Sequence, residues 1–255
     1  MDFTSLGIAF IAAFLAGFTN SIAGGGTLIT FPVLVALGFP PITANITNTV
    51  ALCPGHFGGV YAQRHMFQLQ KKMLFRLLPV SIIGGMIGGY LLLNSDEKSF
   101  NLLVPFLILI ATVLLAVQNP VKKWVALQIS QKRQLKPYYT GLIIAVFISA
   151  IYGGYFGAGL GVILLATLGI FLKDQLTHLN ILKQAISLIV NVTAAIYFIF
   201  SGQINWAFAL TMAMGTLLGG YTGGHFTSKL NPEVFKWIVV IIGSCVGIIY
   251  LIKIF

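Results

Sequence analysis

Ten apolar runs follow one another along this sequence, and most are separated by only a few residues. They cover residues 3 to 22, 25 to 38, 42 to 63, 74 to 93, 99 to 118, 138 to 156, 159 to 172, 179 to 200, 205 to 228 and 234 to 254. A helix rises about 1.5 Å per residue, so a hydrocarbon core about 30 Å thick takes roughly 20 apolar residues to cross. Of the 255 residues, 58% are hydrophobic and only 8% are charged, whereas a soluble domain has roughly a quarter charged. The expected fold is therefore an all-α integral membrane protein with 8 to 10 transmembrane helices. The runs 25 to 38 and 159 to 172 are too short to cross as straight helices. They read as broken or re-entrant segments, which survive at membrane depth only when protein or a watery cavity surrounds them.

The net charge of +10 invites a nucleic-acid reading. Binding a phosphate backbone needs a clustered basic face on a water-exposed domain, and no such domain fits between the runs. The cations read as topology signals instead. Arg64, Lys71, Lys72 and Arg76 mark one cytoplasmic loop, and Lys122, Lys123, Lys132, Arg133 and Lys136 mark another. Cys53 and Cys245 lie inside apolar runs and read as packing residues. The start, Met1-Asp2-Phe3, lacks a cationic n-region, so the first run is expected to stay in the mature protein.

A shift of 135 residues lays one half of the chain on the other without a gap. Gly84-Gly85-Met86-Ile87-Gly88-Gly89 falls on Gly219-Gly220-Tyr221-Thr222-Gly223-Gly224, and Asn45-Ile46 falls on Asn180-Ile181. The chain thus divides into a first repeat over 1 to 118, a basic cytoplasmic linker over 119 to 137 and a second repeat over 138 to 255. If all ten runs cross, each repeat has five segments and the two are inverted. If the short runs re-enter, each half crosses four times and the repeats are parallel. The parallel arrangement puts Lys173, Lys183, Lys229 and Lys236 near the outer face, which the positive-inside rule disfavours. Glycines four apart let transmembrane helices approach closely, so both Gly-Gly-x-x-Gly-Gly runs are expected to be scaffold.

A ligand is expected elsewhere. Ala23, Gly24, Gly25, Gly26 and Thr27 open one short run, and Gly157, Ala158, Gly159, Leu160 and Gly161 open the other. Helices that start on such turns point backbone N–H groups and a positive dipole end at whatever lies ahead, which suits a small anion. An ordinary tight turn at the membrane surface would look the same in sequence. Asn45, Thr47 and Asn48, with His56 further along, dot the next run of the first half. Asn180, Lys183, Gln184, Ser187 and Asn191 dot that of the second. Lys183, Ser187 and Asn191 share one helix face. Lys183 reads either as a site cation or as a lysine snorkelling to the interface, and His56 as a proton or gating residue or a packed histidine.

The missing groups matter as much. Asp2, Asp96, Glu97, Asp174 and Glu233 all fall at segment ends or in loops, so no carboxylate is available deep in the membrane for the usual cation site or proton relay. There is no phosphate-binding Gly-x-x-x-x-Gly-Lys loop and no hydrolase or metalloprotease motif. Neither a metal nor a cofactor is called for, and an enzyme is not expected.

These motifs resemble the sulfite exporter TauE/SafE family, the TSUP permeases. The likeness rests on Ala23-Gly24-Gly25-Gly26-Thr27 leading to Pro32, Gly38-Phe39-Pro40-Pro41, Ala44-Asn45-Ile46-Thr47-Asn48-Thr49-Val50-Ala51, Asn180 to Asn191 and Gly202-Gln203-Ile204-Asn205-Trp206. It implies a secondary carrier of small sulfur oxyanions or organosulfonates, such as sulfite or sulfoacetate, in the cell membrane, the inner one in a Gram-negative host. The second glycine cluster departs from the pattern at Leu160 and has no proline matching Pro32, so the two half-sites are expected to be unequal. The expected substrate-binding set is Gly24, Gly25, Gly26, Thr27, Asn45, Thr47, Asn48, Asn180, Lys183, Gln184 and Asn191. A selective anion channel, or a permease for a non-sulfur anion, would use the same groups. The expected partners are the anion and the bilayer, and homo-oligomerisation is left open.

Overall fold

The computed structural model describes residues 3–22, 25–62, 64–130, 139–172, 174–226 and 231–254. Among them the regular elements are α-helices: α1 (Phe3–Ile22), α2 (Thr27–Ala36), α3 (Pro41–Ala62), α4 (Arg64–Leu93), α5 (Glu97–Ala116), α6 (Gln118–Ser130), α7 (Tyr139–Tyr155), α8 (Leu160–Phe171), α9 (Leu176–Ile199), α10 (Trp206–Phe226) and α11 (Pro232–Ile254). Stretches of α1, α4, α5, α9 and α11 are long and apolar enough to cross a membrane. Two helices of similar length, α3 and α10, are diluted by polar residues and glycines. At 10 and 12 residues, α2 and α8 are half-length helices.

The helices differ from the sequence expectation at two places. Residues 64 to 73, expected as a basic loop ahead of the run over 74 to 93, form the first turns of α4. Leucine, lysine, glutamine, methionine and arginine are good helix formers and no glycine interrupts them. Part of the linker expected over 119 to 137 is helical as well, because α6 carries the chain to Ser130. Val125 is fully buried and meets Gly169 of α8, whereas Trp124 and Leu127 on the same helix are exposed. That pattern suits a helix lying at the membrane interface.

Glycines set how the bundle packs. The paired glycines of α4 serve two neighbours: Gly84 and Gly88 lie against Phe147, Ala150 and Ile151 of α7, while Gly85 and Gly89 lie against Val190, Tyr197 and Phe198 of α9. On α10, Gly215, Gly219 and Gly223 lie against Phe10, Phe14 and Phe18 of α1. A Cβ on Gly88 or Gly219 would collide with the carbonyl oxygens of Ile151 and Phe14 respectively. The close-packing role expected of these motifs is the role seen.

The same contacts fix helix directions. Numbers rise together along α1 and α10, along α4 and α7, and along α4 and α9, so each of these pairs runs parallel. Along α5 and α11 they run oppositely: Thr112 meets Gly243, whereas Leu109 meets Gly247. On α3, Thr47 meets Asn205 and Ala51 meets Thr216, which makes α3 parallel to α10. Because a short connection joins α9 to α10, α9 runs antiparallel to α3. Two hydrophobic cores result. One takes residues of α1, α2, α3, α5, α10 and α11, with Leu92 of α4 and Ala194 and Phe198 of α9, and the other takes α7, α8 and α9 together with α4 and α6.

Candidate functional site

The two glycine turns converge on one region. Gly25 has φ near +87°, a left-handed conformation that glycine adopts without strain. It lies against Leu115 of α5 and Val239 of α11. Gly159, also left-handed with φ near +76°, lies against Ala111 and Leu114 of α5. Phe31 of α2 packs edge to face on Phe156, in the second glycine turn, with ring centroids 5.4 Å apart. Both half-helices thus start beside the same stretch of α5.

The first turn is partly occupied by the protein itself. Gly24 lies outside the described residues. The Gly26 amide donates to Asn20 Oδ1 at 2.7 Å, and the Gly26 carbonyl accepts from Ile29 and Thr30. A cradle formed by all the amides of the run is therefore reduced, because one donor is already taken. Asn20 escaped notice in the sequence; its only signal was a polar residue ending an apolar run, six positions before Gly26. Thr27 begins α2 and is half-buried.

In the second turn, Gly157 and Gly159 are both left-handed, and the Leu160 amide donates to the Gly157 carbonyl at 3.2 Å. The Tyr152 hydroxyl donates to the Ala158 carbonyl at 2.6 Å and braces the turn. Asn45, buried on α3, donates from Nδ2 to the Tyr155 carbonyl at 2.8 Å. Asn191 of α9 stands beside Gly157 and donates to the Ser187 carbonyl at 2.8 Å. Asn45 and Asn191 are therefore joined through this turn, although 146 positions separate them in the chain.

Lys183 lies two turns before Asn191 on α9. Its stem lies on Gly161, in the first turn of α8, and its ammonium donates to Asn180 Oδ1 at 3.2 Å. Among the described residues it forms no ion pair. Gly161 lies ten residues before α8 ends at Phe171, so the stem runs along the amino-terminal end of the half-helix. Nearer the linker, Lys122 on α6 has its ammonium held below the ordinary lysine range, first by burial and then by the charge of Lys236. The neighbourhood is thus rich in cations.

Other expected site residues fall elsewhere. Thr47 is buried and its hydroxyl accepts the Asn205 amide at 3.2 Å, which ties α3 to the start of α10. That is a scaffold contact. His56 is half-buried two turns beyond Asn48 on α3, and Gln184 is half-buried on α9. Under the 135-residue shift, Asn48 corresponds to Lys183 and His56 to Asn191. The two halves therefore present different chemistry at matched positions.

A separate polar cluster ties the halves together. Asp174, just ahead of α9, accepts from Gln70 of α4 at 2.5 Å and pairs with His178 at 2.6 Å. Gln70 is buried. Removing its partner in Asp174→Ala is expected to cost about 1–3 kcal/mol, the penalty for a buried donor left unmet. Thermal unfolding of the detergent-solubilised protein measures this, and an unchanged midpoint would show that the cluster does not hold α4 to α9.

Comparison with known proteins agrees with this architecture. The family described as "Sulfite exporter TauE/SafE" matches residues 9–250. Similar proteins include "Probable membrane transporter protein ORF9" of Sinorhizobium, 27% identical over 97% of this chain and 93% of its own length. Another, "Probable membrane transporter protein" of Haemophilus influenzae, is 30% identical over 92% of this chain and 90% of its own length. "Probable membrane transporter protein YfcA" of Escherichia coli K12 is 26% identical over 94% and 87%. No solved structure matches the chain. The apolar helices and a family match that spans nearly the whole sequence lead to one conclusion: the chain belongs to the sulfite exporter TauE/SafE family, and it is a multi-pass membrane transporter rather than an enzyme.

Proposed function

We propose that this transporter is a secondary-active permease for small anions, with sulfur oxyanions or organosulfonates such as sulfite and sulfoacetate as the substrate class. The observation that carries the reading is Lys183: a half-buried cation lying along the first turn of half-helix α8, whose hydrogen-bond partner among the described residues is the neutral oxygen of Asn180. A partly desolvated cation without an acidic partner is costly unless an anion joins it. Gly25, Thr27, Asn180 and Asn191 would supply the neutral part of the site.

Alternating access would follow from two inverted halves rocking against each other. Helix directions support this. When halves are related by an axis in the membrane plane, a helix packed on its own counterpart runs antiparallel to it; an axis along the membrane normal makes such a pair parallel. The counterparts α5 and α11 run antiparallel. The parallel course of α1, α10 and α3 supports α2 as a segment that carries the chain back across the membrane.

The test is uptake into proteoliposomes of sulfite, thiosulfate, sulfate, sulfoacetate and taurine, with counterflow. The expected result is saturable uptake of at least one sulfur anion, stimulated by the same anion inside the vesicle. Flux without trans-stimulation would mean a channel, and transport of only cations or neutral solutes would sink the anion reading.

A further inference from the structure

Across α3 and α9 the protein presents buried side-chain oxygens whose lone pairs are left over. Asn45 Oδ1, Asn48 Oδ1 and Ser187 Oγ are buried and have no hydrogen-bond partner among the described residues. Asn45 and Asn48 are each 1% exposed. The orientation of Asn45 is set by its amide nitrogen, which donates to the Tyr155 carbonyl. Its oxygen is therefore the end left over. Buried polar groups are almost always paired in folded proteins, so each such atom calls for an explanation.

The register of the two helices puts these oxygens in one neighbourhood. Asn45 bonds Tyr155, two residues before Gly157, and Gly157 stands beside Asn191. Because α3 and α9 pack together and run antiparallel, the turn from Asn45 forward to Asn48 lies alongside the turn from Asn191 back to Ser187. The end of α7 adds to the field there, since a helix C-terminus carries partial negative charge. Two amide carbonyls and the end of α7 attract a cation, and the Ser187 hydroxyl can lend it a lone pair; they act against the positive start of α8 and against Lys183, one turn before Ser187 on the same face of α9. Neutral oxygen donors suit a hard ion, and divalent ions of that class draw on carboxylates. Asp174, at the start of α9, is engaged by Gln70 and His178. Glu97, at the start of α5, lies against the backbone of Ile42, one turn before Asn45, with its Oε2 buried and unpartnered among the described residues, so one acid at most borders the cluster, fewer than a divalent ion draws on.

We propose that a monovalent cation, Na+, binds between α3 and α9 on Asn45 Oδ1, Asn48 Oδ1 and Ser187 Oγ, and that the anion travels with it. The coupling half of this statement rests on the anion-permease reading; the binding half does not. Lys183, one helical turn before Ser187 on α9, and this oxygen cluster then divide the work, one attracting the anion and the other the co-ion. The helices that carry them, α3 and α9, correspond under the 135-residue shift, so the matched positions Asn48 and Lys183 have diverged into opposite electrostatic roles.

The full-length protein in detergent is assayed for binding of radioactive 22Na+ without any anion. Saturable binding, displaced by unlabelled Na+ but not by equimolar K+ or choline, is expected, with affinity at least tenfold weaker in Ser187→Ala and Asn48→Ala. Asn48→Asp keeps the oxygen ligand and is expected to retain binding, which a purely structural role for Asn48 would not produce. Absence of saturable binding by the wild-type protein, or Asn48→Ala and Ser187→Ala variants that bind as the wild type does, overturns the site. In a second arm, uptake of 35S-labelled sulfite is compared in Na+ and choline media at fixed pH. Faster uptake in Na+ supports coupling; equal uptake that follows a pH gradient instead assigns the coupling to protons and overturns it. Na+ binding with no uptake of any sulfur anion leaves the cation site standing and removes the anion reading, so the two failures are told apart.

Discussion

Gly219→Val is expected to lower the stability of the detergent-solubilised protein by about 3 kcal/mol or more, at the upper end of what overpacking costs. Gly219 meets α1 backbone to backbone, and a Cβ there would overlap the Phe14 carbonyl oxygen. That obstacle cannot rotate away as a side chain would. The helices would have to separate along the line of contacts from Gly215 to Gly223, losing dispersion contacts that are the main attraction between helices in lipid. Gly88→Val should behave alike, because its obstacle is the Ile151 carbonyl. Gly7→Val is the control: nothing lies within 4 Å of a Cβ at Gly7, so its unfolding midpoint should stay close to that of the parent. If Gly219→Val and Gly7→Val melt together, α1 and α10 are not in backbone contact.

Lys183→Ala is expected to weaken anion binding about tenfold to a hundredfold, the range for one charge-assisted hydrogen bond. The unfolding midpoint should not fall. Removing an ammonium that no carboxylate balances takes away a desolvation penalty along with a single hydrogen bond to Asn180. Affinity from isothermal titration with sulfite and sulfoacetate, read beside the melting curve, separates the two roles open to this lysine. Unchanged affinity would mean that Lys183 only reaches for the interface. Lost affinity together with lost stability would make it a packing residue.

Most of the helices were legible in the sequence because a bilayer admits few solutions. Run length and apolarity located α1, α2, α5 and α8 to within about two residues of their ends, as expected when every backbone group must be satisfied within the segment. The pattern was blind where helices leave the bilayer. The first turns of α4 and all of α6 carry lysine, arginine and glutamine, and apolar run length says nothing about such stretches. Within the site, residue types were legible but pairings were not. Asparagine at 45 and at 191 could be singled out as polar groups at depth, yet nothing in their spacing says that both attend the turn after α7. Thr47 shows the converse: its polarity marked it for a ligand, and α10 took its oxygen. The inequality expected of the two glycine clusters has a counterpart in the Asn20 contact, which only the first turn makes among the described residues.

The two faces of the α4 glycine motif bear on how the chain is made. Gly84 and Gly88 await α7, and Gly85 and Gly89 await α9, so α4 enters the membrane well before either surface it fits has been synthesised. The glycines of α10, by contrast, find α1 already present as they emerge. The amino-terminal half therefore waits with a small-residue face turned to lipid, and the carboxy-terminal half closes both cores. A gene cut between α6 and α7 should yield fragments that accumulate only when produced together, since each lacks the helix that completes its interior.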